Sequence, residues 1–171
     1  MTVRTIIEYP NKILTRVAKP VNVVGDGIRT LIKDMYHTME AHDGIGFAGP
    51  QIGVGKRVIV LNIPEPAPAL GDIRLTLINP EIIEQSDEIV VVEEGCLSLP
   101  SIWTEGPLRN KTIKFRALDG AGVEFEMYAE GLFSVCVQHE IDHLNGKVFV
   151  DHLSRLKKDR IIKKLNKARK R

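Results

Sequence analysis

Residues His139-Glu140-Ile141-Asp142-His143 set two imidazoles and a carboxylate within five positions, and that spacing carries chemical meaning only on a helix. At about 100° of turn per residue, His139 and His143 differ by about 40° and project from one face, close enough to grip a single ion. Glu140 falls on the flank of that face, where a carboxylate reaches a water beside the ion without ligating it. A divalent cation lowers the pKa of bound water to about 7, which supplies hydroxide under mild conditions, and the Glu takes and returns the proton. The helix is predicted from about 130 to 144, stopped by Asn145-Gly146. A surface helix with two solvated histidines is the plain alternative.

Two imidazoles do not complete a catalytic site, which usually has three protein ligands and one open position. Cys96, Cys136, His37, His42, His152 and the acids are candidates for the third. Cys136 shares the face of His139 but lies seven residues from His143, about 10 Å along a helix axis, too far for a short thiol to share the ion. It reads better as an apolar lining residue between Val135 and Val137. His37 and His42, on or just after an earlier helix, read as surface residues. Cys96 follows a strand-like run and stands after Gly95, which permits close backbone approach. Spacing alone leaves Cys96 open as a ligand.

The rest of the chain frames that helix. Residues 12–18 suggest a short helical turn between Pro10 and Pro20. Ile28, Leu31, Ile32, Met35 and Met39 form one apolar stripe, predicting a helix opened by Asp26 and ended before Gly44. A glycine-rich loop is expected over 44–56, then a buried β-branched strand over 57–63, broken by the proline-rich stretch 64–68. Further strands are expected at 74–78, 88–93, 111–118 and 122–129, the last two joined as a hairpin through Asp119-Gly120-Ala121-Gly122. A basic helix should begin near Ser154. Strands group in the middle and helices toward the ends. The class is therefore α+β: mixed or antiparallel sheets around a central helix carrying HExxH, with an N-terminal helix and a C-terminal basic one.

At 171 residues the chain fits one domain, and its 43% hydrophobic and 27% charged composition excludes disordered and fibrous classes. Its longest apolar runs fall well short of the ~20 residues of a membrane span. The first residues show neither a secretory nor a transit signal, so the expected location is the cytoplasm, where two cysteines are read as thiols or ligands and not as a disulfide. The net charge of +2 divides unevenly: residues 155–171 hold ten basic groups and one acid, or +9, which leaves −7 for 1–154. The basic end suits a polyanionic partner, with a merely solvated charged helix as the alternative.

Gly44-Ile-Gly46-Phe-Ala-Gly49 spells the dinucleotide fingerprint, but a helix precedes it and Pro50-Gln51-Ile52-Gly53 follows, so the strand-turn-helix context is missing. A functional loop here would bring backbone donors and Gln51 to a substrate.

Three segments together, Gly44-Ile-Gly-Phe-Ala-Gly-Pro-Gln51, Glu94-Gly-Cys-Leu-Ser98 and Gln138-His-Glu-Ile-Asp-His143, resemble peptide deformylase, and the similarity extends over nearly the whole chain. The resemblance implies removal of the formyl group from the N-terminal formylmethionine of new polypeptides. It implies Cys96 as thiolate ligand beside His139 and His143, Glu140 as general acid/base, and Gln51 with the backbone N–H of Leu97 as oxyanion donors. It also implies that Ile45, Gly46 and Gly95 hold the peptide backbone, and that Leu132, Val135 and Cys136 line the methionine pocket. The implied metal is Fe²⁺, with Zn²⁺, Ni²⁺ or Co²⁺ as replacements; the ligand set alone would have favoured zinc. Relatives with a C-terminal helix dock it at the ribosome near the peptide exit, so 155–171 becomes an extension, reaching ribosomal RNA, of one catalytic domain spanning 1–154. Phe47 and Gly49 depart from the family pattern, and compensation between their volumes is expected. Trp103 occupies the neighbourhood in which many relatives carry a basic residue contacting the peptide beyond methionine, with the spacing there shifted by an apparent insertion. Asp142 is either paired with an arginine such as Arg109 or solvated. Two other classes remain to be separated: a zinc endopeptidase built on HExxH, and a non-catalytic RNA-binding metalloprotein with a structural metal, against which the lack of a closely spaced cysteine pair argues.

Overall fold

The computed structural model describes residues 2–64 and 72–168. A 3-10 turn at Lys12–Thr15 precedes helix α1, Asp26–Glu40. Strands follow in the order β1 Gly46–Ala48, β2 Val58–Ile63, β3 Ile73–Gln85, β4 Ile89–Val90, β5 Glu93–Cys96, β6 Leu99–Glu105, β7 Arg109–Asn110, β8 Thr112–Leu118 and β9 Glu124–Glu130. Helices α2, Leu132–Leu144, and α3, Arg155–Ala168, close the described chain. The expected α+β class holds, and each strand pair is antiparallel.

The main sheet has the order β1-β2-β3-β8-β9, and β2 explains its layering. Side chains alternate across a strand. Val58 and Val60 therefore turn to one face, where they meet Leu31, Ile32, Met35 and Met39 of α1. Ile59, Leu61 and Ile63 turn to the other, against Phe133, Val137, Ile141 and Leu144 of α2. A strand covered on both faces is expected to be apolar, and β2 is so except at the half-buried Asn62 near its end. Helix α2 is thereby enclosed: all its residues except Leu132 and Asp142 are buried. That burial excludes the plain alternative of a surface helix with two solvated histidines, and His139 and His143 do turn to one side of α2.

A third apolar cluster joins Tyr9 and Leu14 to Leu99 and Ile102 of β6, to Val148–Val150, and to Leu165 of α3. It seats the basic helix against the two-stranded sheet β5-β6. Several boundaries differ from expectation. The 44–56 loop contains β1 and a 3-10 turn at Gly49–Ile52, because its residues pair with β2. The strand expected at 74–78 runs on to Gln85 through bulges, and 88–93 divides between β4 and β5. β6 was not anticipated, since Pro100 and the left-handed Ser101 (φ 62°) interrupt any strand pattern. Of the proline-rich stretch, 65–68 lies outside the described residues, as do 169–171 of the basic end. No described helix is long and apolar enough to cross a membrane.

Candidate active site

Strand β5 delivers Cys96 and helix α2 delivers His139 and His143, and one ligand atom from each lies within 4.8 Å of the others. Among the described residues this is the one group of three or more such side chains placed to share an ion. The ring of His143 is wholly buried, with Nε2 3.2 Å from Cys96 Sγ, while its Nδ1 has no hydrogen-bond partner among the described residues. A soft sulfur beside two imidazoles is a donor set that suits zinc, iron or a similar divalent ion. Cys136, His37, His42 and His152 stand outside the cluster. His42 Nδ1 lies 2.8 Å from the Thr38 carbonyl, and His152 turns to Asp142.

The second ring nitrogen of His139 is also engaged. Its Nδ1 donates to Glu94 Oε2 at 2.7 Å, which fixes the ring and leaves Nε2 for an ion, the usual arrangement behind a metal-binding histidine. Glu94 is itself held by the fork of Arg109, whose Nε and Nη2 donate to its two oxygens at 2.9 Å each. Arg109 Nη1 reaches Asp142 Oδ2 at 2.6 Å, and His152 Nε2 lies 3.0 Å from the same oxygen. Asp142 is thus paired, as one of the two sequence readings held. Burial works against charge on Glu94, but hydrogen bonds from His139 and Arg109 outweigh it and hold the carboxyl down at about 2. Burial likewise opposes charge on His139, yet Cys96 and Glu94 raise its proton affinity well above the ordinary value. The same negative surroundings attract a cation.

Glu140 is buried and adjoins that cluster. Burial lifts its carboxyl to about 7, against the lowering influence of His139 and Arg109, and Oε2 has no hydrogen-bond partner among the described residues. A group that changes protonation near neutrality is suited to proton transfer at physiological pH. Burial raises the Cys136 thiol, with Glu140 and Glu94 adding to the effect, so it stays neutral.

A cavity of about 350 Å³ opens over these groups. Ile45, Gly46, Gln51, Gly95, Cys96, Leu97, Leu132, Val135, Cys136, His139 and Glu140 all line it, while His143 lies behind them. Gly46 passes so close to α2 that a Cβ there would sit 2.6 Å from both Cys136 Sγ and Glu140 Oε1. Gly95 is covered by the ring of Trp103, its cross-strand partner, and Trp103 lines the cavity while 72% exposed. Phe47 is wholly buried against α1, but the space beside Gly49 is filled by the carbonyls of Val54 and Lys56 and not by the phenyl ring. Sequence reasoning gave no site role to Glu94 or Ser98 and offered Arg109 only as a partner for Asp142, not for Glu94. Glu94 and Arg109 announce themselves only as a buried ion pair between residues 15 apart.

The basic end forms a helix with one apolar edge. Ile161, Ile162 and Leu165 of α3 face the third cluster, and Arg160, Lys163, Lys164 and Lys167 are exposed.

Comparison with known proteins gives a consistent result. The sequence profile of the polypeptide deformylase family matches residues 3–159. Peptide deformylase 1 of Pseudomonas syringae pv. tomato is 47% identical over 170 residues, covering 99% of this chain and 98% of that protein. The peptide deformylase of Azotobacter vinelandii is 48% identical over 167 residues, 98% of this chain and 96% of its own. The crystal structure of peptide deformylase from Ehrlichia chaffeensis superposes with a TM-score of 0.94 at 39% identity, covering 99% and 98% of the two chains. A second structure from that organism, in complex with actinonin, gives a TM-score of 0.93 at 40% identity over 98% of each.

Proposed function

Because the chain belongs to the polypeptide deformylase family, metal-dependent enzymes that remove N-terminal formyl groups from nascent polypeptides, we propose that Cys96, His139 and His143 hold its metal and that Glu140 moves the proton. The observation that carries this reading is the convergence of three ligand atoms within 4.8 Å beside a buried carboxyl whose Oε2 has no hydrogen-bond partner among the described residues. A divalent cation bound there would supply an ionised water near neutral pH and polarise the formyl oxygen. We assign Fe²⁺ as the physiological ion, by resemblance to the family, with Zn²⁺, Ni²⁺ or Co²⁺ able to replace it.

The chain's own groups account for the remaining steps. Ile45, Gly46 and Gly95 hold the peptide backbone, and Leu132, Val135 and Cys136 receive the methionine side chain. Glu140 Oε2 accepts a proton from the attacking water as the new C–O bond forms at the formyl carbon. Charge then develops on the formyl oxygen, where Gln51 Nε2 and the Leu97 N–H donate; losing such a donor costs ~10²–10³ in rate. Glu140 returns the proton to the departing nitrogen as the C–N bond breaks, releasing formate and a free amino terminus. The neutral Cys136 thiol suits an apolar methionine wall better than a charged group would.

Residues 1–154 form the catalytic unit in this reading, and 155–171 extend the same domain toward ribosomal RNA near the peptide exit, in the cytoplasm. The exposed lysines of α3 support that assignment. Formate release from formyl-Met peptides, measured beside unformylated and internally cleavable peptides, tests the activity. Turnover of the formylated substrates alone is expected. Internal cleavage without formate release would favour an endopeptidase.

A further inference from the structure

A side-chain amide stabilises an oxyanion only when its nitrogen, and not its oxygen, faces the reacting carbon. The Gln51 amide is turned by two contacts. The backbone N–H of Ala48 donates to Oε1 at 2.8 Å, which places the oxygen away from the metal cluster. Nε2 donates one hydrogen to the Ser98 hydroxyl at 3.2 Å and the other to Cys96 Sγ at 3.6 Å, on the side of the cluster. Gln51 and Ser98 are 1% and 0% exposed, so bulk water does not compete for either group.

The two backbones are tied to one short N-terminal segment. The N–H of Ile7 donates to the Gln51 carbonyl at 2.7 Å, and the N–H of Tyr9 donates to the Ser98 carbonyl at 2.8 Å. Residues 7 and 9 lie two apart in sequence, so a single short segment anchors both Gln51 and Ser98. Ser98 is not among the cavity-lining residues, and therefore acts behind the site.

We propose that Ser98, braced through Tyr9, is a positioning residue for Gln51: its hydroxyl holds one amide hydrogen so that the other, which meets the Cys96 sulfur in the substrate-free site, is aimed to pass to the developing oxyanion. The inference rests on the oxyanion role given to Gln51 above and adds a residue to it. Without the hydroxyl, a buried N–H is left with no acceptor and the amide is free to swing toward another. The effect should appear in turnover and not in substrate binding, since charge on the formyl oxygen appears only in the transition state.

The test is a double-mutant cycle on the full chain, Ser98→Ala, Gln51→Ala and both together, with kcat and KM measured on a formyl-Met peptide. Ser98→Ala is expected to lower kcat about tenfold or more, without exceeding the ~10²–10³ of losing the donor itself, and to leave KM within about twofold. In the Gln51→Ala background the same change should cost less than about twofold, because there is no amide left to orient. Ser98→Thr, which keeps the hydroxyl, should recover most of the rate. The visible spectrum of the Co²⁺-loaded chain and its unfolding midpoint separate this role from a structural one, and Ser98→Ala is expected to leave the spectrum unchanged. Equal losses in both backgrounds, or a shifted spectrum, would overturn the positioning role while leaving Gln51 as a donor. No loss from Gln51→Ala would remove the oxyanion reading and this inference together.

Discussion

Helices α2 and α3 have nearly equal lengths, 13 and 14 residues, and treat their charged groups in opposite ways. On α2 the ionisable groups sit in or against the interior, and two of them are tied outward: His139 to Glu94, and Asp142 to Arg109. On α3 most of the lysines and arginines are exposed, and Leu165 is the one buried side chain. The difference separates two kinds of electrostatic work. Catalysis needs charges fixed before the substrate arrives, and a low-dielectric interior makes each fixed charge count for more. Recognition of a polyanion needs charges that stay available and lose little by remaining solvated.

The contrast can be broken most severely at Arg109. Arg109→Leu leaves Glu94 and Asp142 without their shared partner in a buried setting, which is expected to cost about 3–5 kcal/mol of stability in urea unfolding. Metal affinity should fall as well, because Glu94 would no longer hold His139 in one orientation. A change under about 1 kcal/mol, the size of a surface ion pair, would mean that the network is not what fixes the α2 side chains.

Glu140→Gln should lower turnover by at least ~10²-fold while leaving metal content intact. It also has a stability signature in the metal-free chain. Burial raises the folded pKa of Glu140 from 4.5 to about 7, so the folded state holds that proton more tightly than the unfolded state. The contribution is fully present below the unfolded value and is lost as pH rises through about 7, an effect on the order of 3 kcal/mol. The metal-free parent should therefore lose stability relative to Glu140→Gln between about pH 5 and about pH 8. Parallel pH profiles for the two chains would contradict the buried, proton-exchanging state of this carboxyl.

The smallest effects belong to α3. Replacing Lys163, Lys164 and Lys167 with glutamine should change stability by no more than about 0.5 kcal/mol per site. Binding to ribosomes should weaken, with the log–log salt slope reduced by nearly one unit for each phosphate that is no longer neutralised. Ribosome binding unaffected by these changes would leave α3 as a solvated helix that only packs through Leu165.

Much of this arrangement is legible along the chain, and the limits have physical causes. The stripe Ile28–Met39 and the apolar run Val58–Leu61 of β2 report local patterning, so the helix and strand they predict lie close to the observed bounds of α1 and β2. The HExxH spacing likewise declares a helix. What periodicity cannot report is which distant residues meet. Cys96 reaches His143 across 47 positions, and spacing alone leaves it open as a ligand. Arg109 meets Asp142 across 33 positions, a pairing that is one of two readings of the sequence. β6 escapes notice because Pro100 and Ser101 erase a strand pattern that tertiary packing of Leu99 and Ile102 restores. Ser98 gives no separate signal, since its part depends on a hydrogen bond to Gln51, 47 residues away.

X-ray absorption at the metal of the anaerobically purified chain tests the central claim most directly. One sulfur and two imidazole nitrogens are predicted around a single ion, with the sulfur signal at about 2.3 Å for zinc and absent in Cys96→Ser. A first coordination sphere without sulfur in the parent chain, or one that keeps its sulfur after that substitution, would contradict the assignment of Cys96 and the site built around it.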